Sequence, residues 1–407
     1  MKRLLVIVSV CFGLLLALWT PVGPGGGNVY SGDISNTNPA VIYFAPYNSS
    51  TRLVKSTDEG TTWVQTTGVL SGYVYDLLVH PADPSIVYAC LGSSIYRTTD
   101  GGASWMRLNT PSSNYFREMA FNPQNPNVIY ATGYYYGASP YKQVLVRSDD
   151  GGNTWSAFYF DTTTTNAYGY SLAIDPVDTA TVYVGGYRAS GLTTLHRSSD
   201  RGQTWEELPF GISGYYPYAI YISPANSNLI FVAPYTSGIY RSTDRGQTWT
   251  RVTSLAAVYR LTGASGNPAV LYASTSGSVY RSQDTGRTWT VVNRGLSGTP
   301  NFCLMSNPNS PPTVYVGTKT GLFRSANYGD TWENLIEELF LSQVKVVALA
   351  DDPATLYVEC LNDGVYKSTD NGSTWRRCPD FLSCGNIISI AVDPRDPLTV
   401  WALEGSG

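Results

Sequence analysis

Histidine is nearly missing from this 407-residue chain, which has two, and methionine (4) and glutamate (9) are scarce. Two histidines, His80 and His196, cannot furnish a His-based triad or an imidazole metal cluster. No Cys/His spacing of the zinc kind occurs either, so neither a metal nor a cofactor is expected. Charge is also thin at 14% of residues, and 26 Lys+Arg against 30 Asp+Glu leave a net charge of −4. That balance speaks against a nucleic-acid partner. What the chain has instead is apolar material (43%), enough for a large core and too much for disorder. With 39 Gly, 24 Pro, 31 Tyr and 10 Trp, turns and pleated strands are favoured over helices. An all-β protein is expected.

Residues 1–20 follow an export pattern. Lys2 and Arg3 precede a charge-free, apolar run from Leu4 to Trp19, which reads as a signal peptide or N-terminal anchor. The run falls short of the ~20 residues that span a bilayer, so a secreted product with no membrane span in its mature form is expected. Cys11 follows Val10, where a lipoprotein site wants a small residue. Of the other cysteines, Cys378 and Cys384 bracket a short loop and are a candidate disulfide after export. Cys90 and Cys360 share one repeat position, and Cys303 lies in an apolar strand, so these read as small buried hydrophobes.

The dominant feature is an eight-fold recurrence of Ser/Thr-x-Asp-x-Gly-x-Thr/Ser-Trp. Its third positions are Asp58, Asp100, Asp150, Asp200, Asp244, Asp284, Asn327 and Asp370, a period of about 45 residues. Each unit reads as four strands. The first ends in a Pro turn, as in Tyr75 to Pro81, and the second carries an aromatic in all nine copies (Tyr43, Tyr88, Tyr130, Tyr183, Phe231, Tyr272, Tyr315, Tyr357, Trp401). The third leads through Arg or Lys into the box, and the fourth starts at the box Trp. Four-stranded antiparallel sheets of this kind bury both faces by stacking around an axis. In the box, carboxylate and hydroxyl are placed to accept from nearby amides while Gly takes a positive φ, so the box carboxylates read as structural staples.

These boxes resemble the BNR, or Asp-box, repeat family of β-propellers, whose relatives include sialidases, xyloglucan-degrading glycoside hydrolases, sortilin-type receptor domains and photosystem II stability/assembly factors. The likeness covers residues 28 to 407 and implies a propeller of four-stranded antiparallel blades, while leaving function open. Residues 21–384 are expected to form a propeller with eight Asp-box repeats, and residues 385–407 begin a partial ninth blade that stops before its third strand and box. Either one ring of eight to nine units or the start of two propellers follows, in a chain that reads as part of a longer one. Trp19 to Gly23 resembles an outermost strand that closes a ring from the N-terminus.

The repeat slots absorb the tryptophans but leave 16 of the 31 tyrosines. Many fall in loops opposite the boxes: Tyr47, Tyr134, Tyr135, Tyr136, Tyr141, Tyr187 with Arg188, Tyr215, Tyr216 and Tyr235. Aromatics on one face are candidates for stacking on sugar rings or gripping a peptide, and the competing reading is that they pack against neighbouring blades. A glycan or an extracellular protein is the expected partner. For catalysis, a glycosidase needs two facing carboxylates. Asp33, Asp161 and Asp363 are candidates, and Asp76 with Glu118, on the first strands of adjacent blades, is the better pair; the alternative for that pair is salt-bridging with Arg117 or Arg260. The resemblance lends the enzyme reading little support. No Phe/Tyr-Arg-Ile-Pro segment of the sialidase kind occurs, and six arginines simply precede boxes. Ala45 to Thr51 stands where xyloglucanase-like chains tend to carry an acidic Thr-Asp-x-Gly-Gly stretch, so that family's catalytic Asp is not carried over to this chain.

Overall fold

The computed structural model describes residues 29–404 apart from 36–37, 39, 47–49, 59–63, 162–164, 214–215, 265, 297–299, 308–309, 311, 319–320, 335–343, 350–355, 361–363, 369–375, 378–386 and 394–395. Burial varies with radius in each sheet. Second strands such as Val87–Cys90 and Ile230–Pro234 are buried along their whole length, because a neighbouring sheet covers each face. Outermost strands such as Met106–Arg107 and Glu206–Glu207 are exposed. The repeated aromatic of the second strand is fully enclosed from Tyr43 to Tyr315.

Seven four-stranded antiparallel meanders build the ring, each supplying all four of its own strands. Their innermost strands are Val29–Ile34, Asp76–Val79, Asn114–Asn122, Ala167–Ile174, Pro217–Ile222, Val258–Ala264 and Pro300–Ser306. Each packs on the next, and the seventh packs on the first. Seven apolar clusters fill the seven seams between blades. The closing seam joins Ile34, Ile42, Phe44 and Val54 of blade 1 to Met305 and Tyr315 of blade 7.

The expectation of eight blades plus a partial ninth in one ring is corrected here. The eighth sheet (Val344–Leu349, Leu356–Cys360, Gly364–Ser368, Arg376–Arg377) packs instead against a two-stranded sheet, Ile387–Asp393 with Asp396–Glu404. Counting boxes gives the number of sheets, but the wedge angle between sheets is set by side-chain bulk in the seams, and here it closes the circle at seven. The N-terminal segment proposed to complete a blade lies outside the described residues, as do Asp370 and the Cys378–Cys384 pair.

The boxes sit at the turn between third and outermost strands. In each described box the hydroxyl of the first residue donates to the third-position side chain, as in Ser198 Oγ to Asp200 Oδ1 at 2.8 Å and Ser325 Oγ to Asn327 Oδ1 at 2.9 Å. The same hydroxyl accepts from the box glycine, and the carboxylate accepts the N–H of the residue four further on, Thr204 in this blade. These hydroxyl and amide donors hold Asp100, Asp150 and Asp244 below the usual carboxylate range. Gly202, at φ +92°, would carry a Cβ only 2.5 Å from Leu145 of the preceding blade, so glycine is required for conformation and space together.

The arginine before the box in blades 2 to 6 has a task that the sequence reading missed. Arg97 donates to the Gly151 carbonyl at 2.7 Å, Arg147 to Arg201 at 2.8 Å, Arg197 to Arg245 at 3.0 Å and Arg281 to Tyr328 at 2.7 Å. Every acceptor is the fourth residue of the next blade's box. The box rim is therefore a belt of inter-blade clamps, joined by the Tyr88 hydroxyl on the same Gly151 carbonyl.

Candidate functional site

The opposite end of the ring, where innermost strands begin, is built differently. Strand pairing slips between Phe116 and Glu118, Gly169 and Ser171, Pro217 and Ala219, and Val258 and Arg260. Each slip leaves one extra residue, namely Arg117, Tyr170, Tyr218 or Tyr259. A β-bulge bends the strand and re-aims the side chain of its extra residue. Repeated at one level on four consecutive blades, it brings these side chains together. The Arg117 guanidinium lies over the rings of Tyr75, Tyr115 and Tyr170 at 4.7, 5.0 and 5.2 Å. Tyr170 meets Tyr218 at 5.9 Å, and Tyr218 meets Tyr259 at 5.6 Å.

Tyrosines from the ends of innermost and second strands and from loops extend this row into a collar. Tyr134 stacks on Tyr115 at 5.4 Å and Tyr141 at 5.9 Å, and touches Tyr168 edge-on at 5.0 Å. Tyr168 stacks on Tyr187 at 4.8 Å, which meets Tyr216 at 4.6 Å, and Tyr235 joins through Tyr218 at 5.6 Å. Eleven tyrosines are thus in unbroken ring contact from blade 2 to blade 6, each of them half-buried. Because many ring faces are taken by other rings, the collar presents ring edges and phenol hydroxyls more than free faces. Burial pushes the Tyr75 phenol up to about 12 and Tyr134, Tyr170 and Tyr187 upward as well, so these hydroxyls stay neutral hydrogen-bonding groups.

Directly after the bulges, at the level of the collar floor, stand Glu118 and Arg260, with Asp76 at the corresponding register position of blade 2. Arg260 reaches from blade 6 to both carboxylates, at 3.5 Å from Asp76 and 3.3 Å from Glu118. Each carboxylate uses its other oxygen on the next blade: Met119 N–H donates to Asp76 at 2.8 Å and Leu172 N–H to Glu118 at 2.7 Å. Asp33 of blade 1 is tied similarly, accepting from Val79 N–H at 2.7 Å. Burial pushes Asp76 and Glu118 above the ordinary carboxylate range despite the opposing pull of Arg260, and desolvation raises Asp33 to about 7. Arg260 is thus the ion partner of this carboxylate pair, while Arg117 lies among the rings.

The remaining sequence candidates separate. Tyr134, Tyr141, Tyr187, Tyr216 and Tyr235 join the collar. Tyr135 turns aside to pack on Tyr159 at 4.9 Å, and Tyr136 is 44% exposed. Arg188 is committed to Asp161 at 2.9 Å and Glu207 at 2.7 Å, an ion-paired brace between blades 3 and 4. Tyr47 and Tyr215 lie outside the described residues. Tyr75, Tyr170, Tyr218 and Tyr259 were assigned by the sequence to a routine strand slot, yet they make the inner row. Their recurrence at one slot was the available signal, since equal slots on successive blades face a common axis. Among the described residues, no three His, Cys, Asp or Glu gather as a metal site, and no helix is long and apolar enough to cross a membrane.

Comparison with known proteins agrees with this architecture. Residues 51–182 match the family described as Sortilin, neurotensin receptor 3 (Sortilin-Vps10), and residues 221–377 match the DUF6242 beta propeller domain. No curated protein sequence matches. Among solved structures, the GH74 xyloglucanase from Xanthomonas campestris superposes at TM-score 0.63 with 16% identity, over 92% of this chain and 70% of that one. An ancestral GH74 enzyme superposes at 0.70 with 19% identity, over 96% of this chain; this chain spans 60% of that enzyme's length. YCF48 from Cyanidioschyzon merolae gives 0.54 with 15% identity, over 74% of this chain and 96% of its own. At these identities the likeness speaks for fold, and with the boxes in place the chain is a β-propeller of the BNR, or Asp-box, kind.

Proposed function

We propose that this chain is an exported binding propeller whose tyrosine collar receives a glycan. The observation that carries the reading is the collar itself: eleven contiguous phenols at one end of the axis, against a box rim whose arginines clamp successive blades. Half-buried tyrosines present a low-entropy, amphipathic surface of edges and neutral hydroxyls, which suits a hydroxyl-rich chain. The bulges favour a glycan over an extended peptide, because they interrupt the innermost strand edges to which a peptide backbone would pair. Export fits the Lys2-Arg3 and apolar opening of the sequence.

The test is retention of the folded protein on insoluble polysaccharides, with Tyr134→Ala and Tyr187→Ala as probes. Each substitution is expected to weaken retention by about tenfold, as loss of a central aromatic contact does; unchanged retention removes the collar as the site. A second reading, a glycoside hydrolase module, draws support from the GH74 likeness. It would make Asp76 and Glu118 the reacting pair, although both are already held by Arg260 and by backbone amides. Release of reducing ends, abolished in an Asp76→Asn, Glu118→Gln double variant, would establish it.

A further inference from the structure

We propose that blade 3 carries a second glycan site outside the collar, a shelf of Tyr135, Lys142 and Tyr159 that stacks on the sugar rings of a polysaccharide. The class of ligand rests on the reading above, whereas the place does not depend on the collar. Aligned with blade 2 on the second-strand aromatic and on the box, the second, third and outermost strands of blade 3 each run three residues further toward the collar end, to Tyr135, Lys142 and Phe160. Blade 2 turns back at residues 91–94, so its sheet covers the middle of blade 3 and stops short of this extension.

The extension has one open face. Tyr135 lies opposite Lys142 in the antiparallel ladder, and Tyr159 lies opposite Val144, two residues on from Lys142. Opposite residues share a face, as do alternate residues along a strand, so Tyr135, Lys142 and Tyr159 stand together on the side turned to blade 2. Val144 and Ala157, on that same side, pack into the seam with blade 2. Beyond the seam Tyr159 is 43% exposed, and its ring meets that of the half-buried Tyr135 at 4.9 Å with the planes inclined by 57°. A Cβ at Gly137 would collide with the Tyr135 phenol, so the hairpin backbone holds that ring in place. Phe158 and Phe160, on the other side of the strand, are occupied by Arg147 at 5.3 Å and Trp205 at 4.1 Å.

This arrangement supplies what the collar lacks. Collar tyrosines cover one another's faces, while Tyr159 meets no ring but Tyr135 among the described residues. A pyranose packs its C–H face on an open phenol face, and Lys142, which has no ion-pair partner among the described residues, offers Nζ donors to the sugar hydroxyls. A peptide adding to the outer edge of Ser156–Phe160 would pair through its backbone and leave Tyr135, two strands inward, without a role.

The experiment is retention of the full chain on cellulose, chitin and an insoluble β-1,3-glucan, with each variant checked for folding by thermal melting. On the polysaccharide that holds the wild type, Tyr159→Ala and Tyr135→Ala are each expected to lower retention by about tenfold. Tyr159→Phe, which keeps the ring, and Tyr136→Ala, on the same hairpin, are expected to be retained like the wild type. If Tyr135→Ala does not fold, the exposed Tyr159 decides. Undiminished retention of Tyr159→Ala overturns the shelf, and Tyr134→Ala and Tyr187→Ala then show whether the collar stands. Loss in the shelf variants with none in the collar variants supports the shelf and removes the collar. A wild type held by no polysaccharide overturns both. Self-association or capture of an extended peptide that depends on Tyr159, in place of glycan retention, overturns the shelf as a sugar site.

Discussion

The two ends of the ring solve different problems with the same repeat. At the box rim, blade after blade repeats one arrangement: hydroxyl to carboxylate, glycine at positive φ, arginine onto the next box. At the collar, blades 3 to 6 share a bulge, yet they and blade 2 fill equivalent positions with unlike residues: Asp76, Glu118, Ser171, Ala219 and Arg260. Uniform contacts are what ring closure needs, because each seam must turn the chain by the same angle. Unlike residues at equal positions break that symmetry, and an asymmetric surface is what a specific ligand requires. The difference teaches where in a symmetric fold to look for function.

The contrast can be broken most severely at the rim. Gly202→Ala is expected to destabilise the ring by about 2–3 kcal/mol, since the new Cβ meets both a left-handed backbone and the Leu145 side chain; denaturant melting checks it, and a loss below 1 kcal/mol would mean that the seam is looser than drawn. Arg147→Met removes a charge-assisted bond to the Arg201 carbonyl and should cost about 1.5–2 kcal/mol, with the same readout.

Acidity separates the two ends in sign. Asp33 rises to about 7 in the fold, above its ordinary value of about 4 when unfolded. The folded state therefore binds the extra proton between those values, and stability declines as pH climbs from about 4 to about 7. Box carboxylates run the other way, stabilising above their unfolded value and losing that contribution in acid. Melting temperature should accordingly be lower at pH 8 than at pH 5, and Asp33→Asn should flatten that difference. The smallest effect is expected from Tyr136→Ala. This exposed side chain is absent from the collar contacts, so both stability and glycan retention should stay at wild-type values.

Much of the scaffold was legible in advance because its cause is local. A Ser-x-Asp-x-Gly-x-Thr-Trp turn satisfies its own hydrogen bonds within eight residues, so spelling and structure coincide. The enclosed aromatic of the second strand was equally plain, since one packing slot recurs in every seam. The candidate site was only half legible. Tyr134 and Tyr187 stand out in the sequence as surplus aromatics, but their neighbours Tyr170 and Tyr218 read as scaffolding because they repeat. Tyr135 shares the sequence signal of the adjacent Tyr134, yet strand alternation sends it to the other side. Arg188 reads from the sequence as a binding residue, but the fold engages its guanidinium with Asp161 and Glu207.

The sequence by itself determined the class of fold, the four-stranded unit and the box chemistry, all of which depend on contacts inside one repeat. Only the tertiary structure decided the closure at seven blades, the clamp from the arginines of blades 2 to 6 onto the next box, and the meeting of Asp76, Glu118 and Arg260 across the axis. Those depend on the angle between successive sheets. That angle comes from the summed bulk of side chains in every seam, and residues 142 to 184 positions apart become neighbours only once the whole circle has closed.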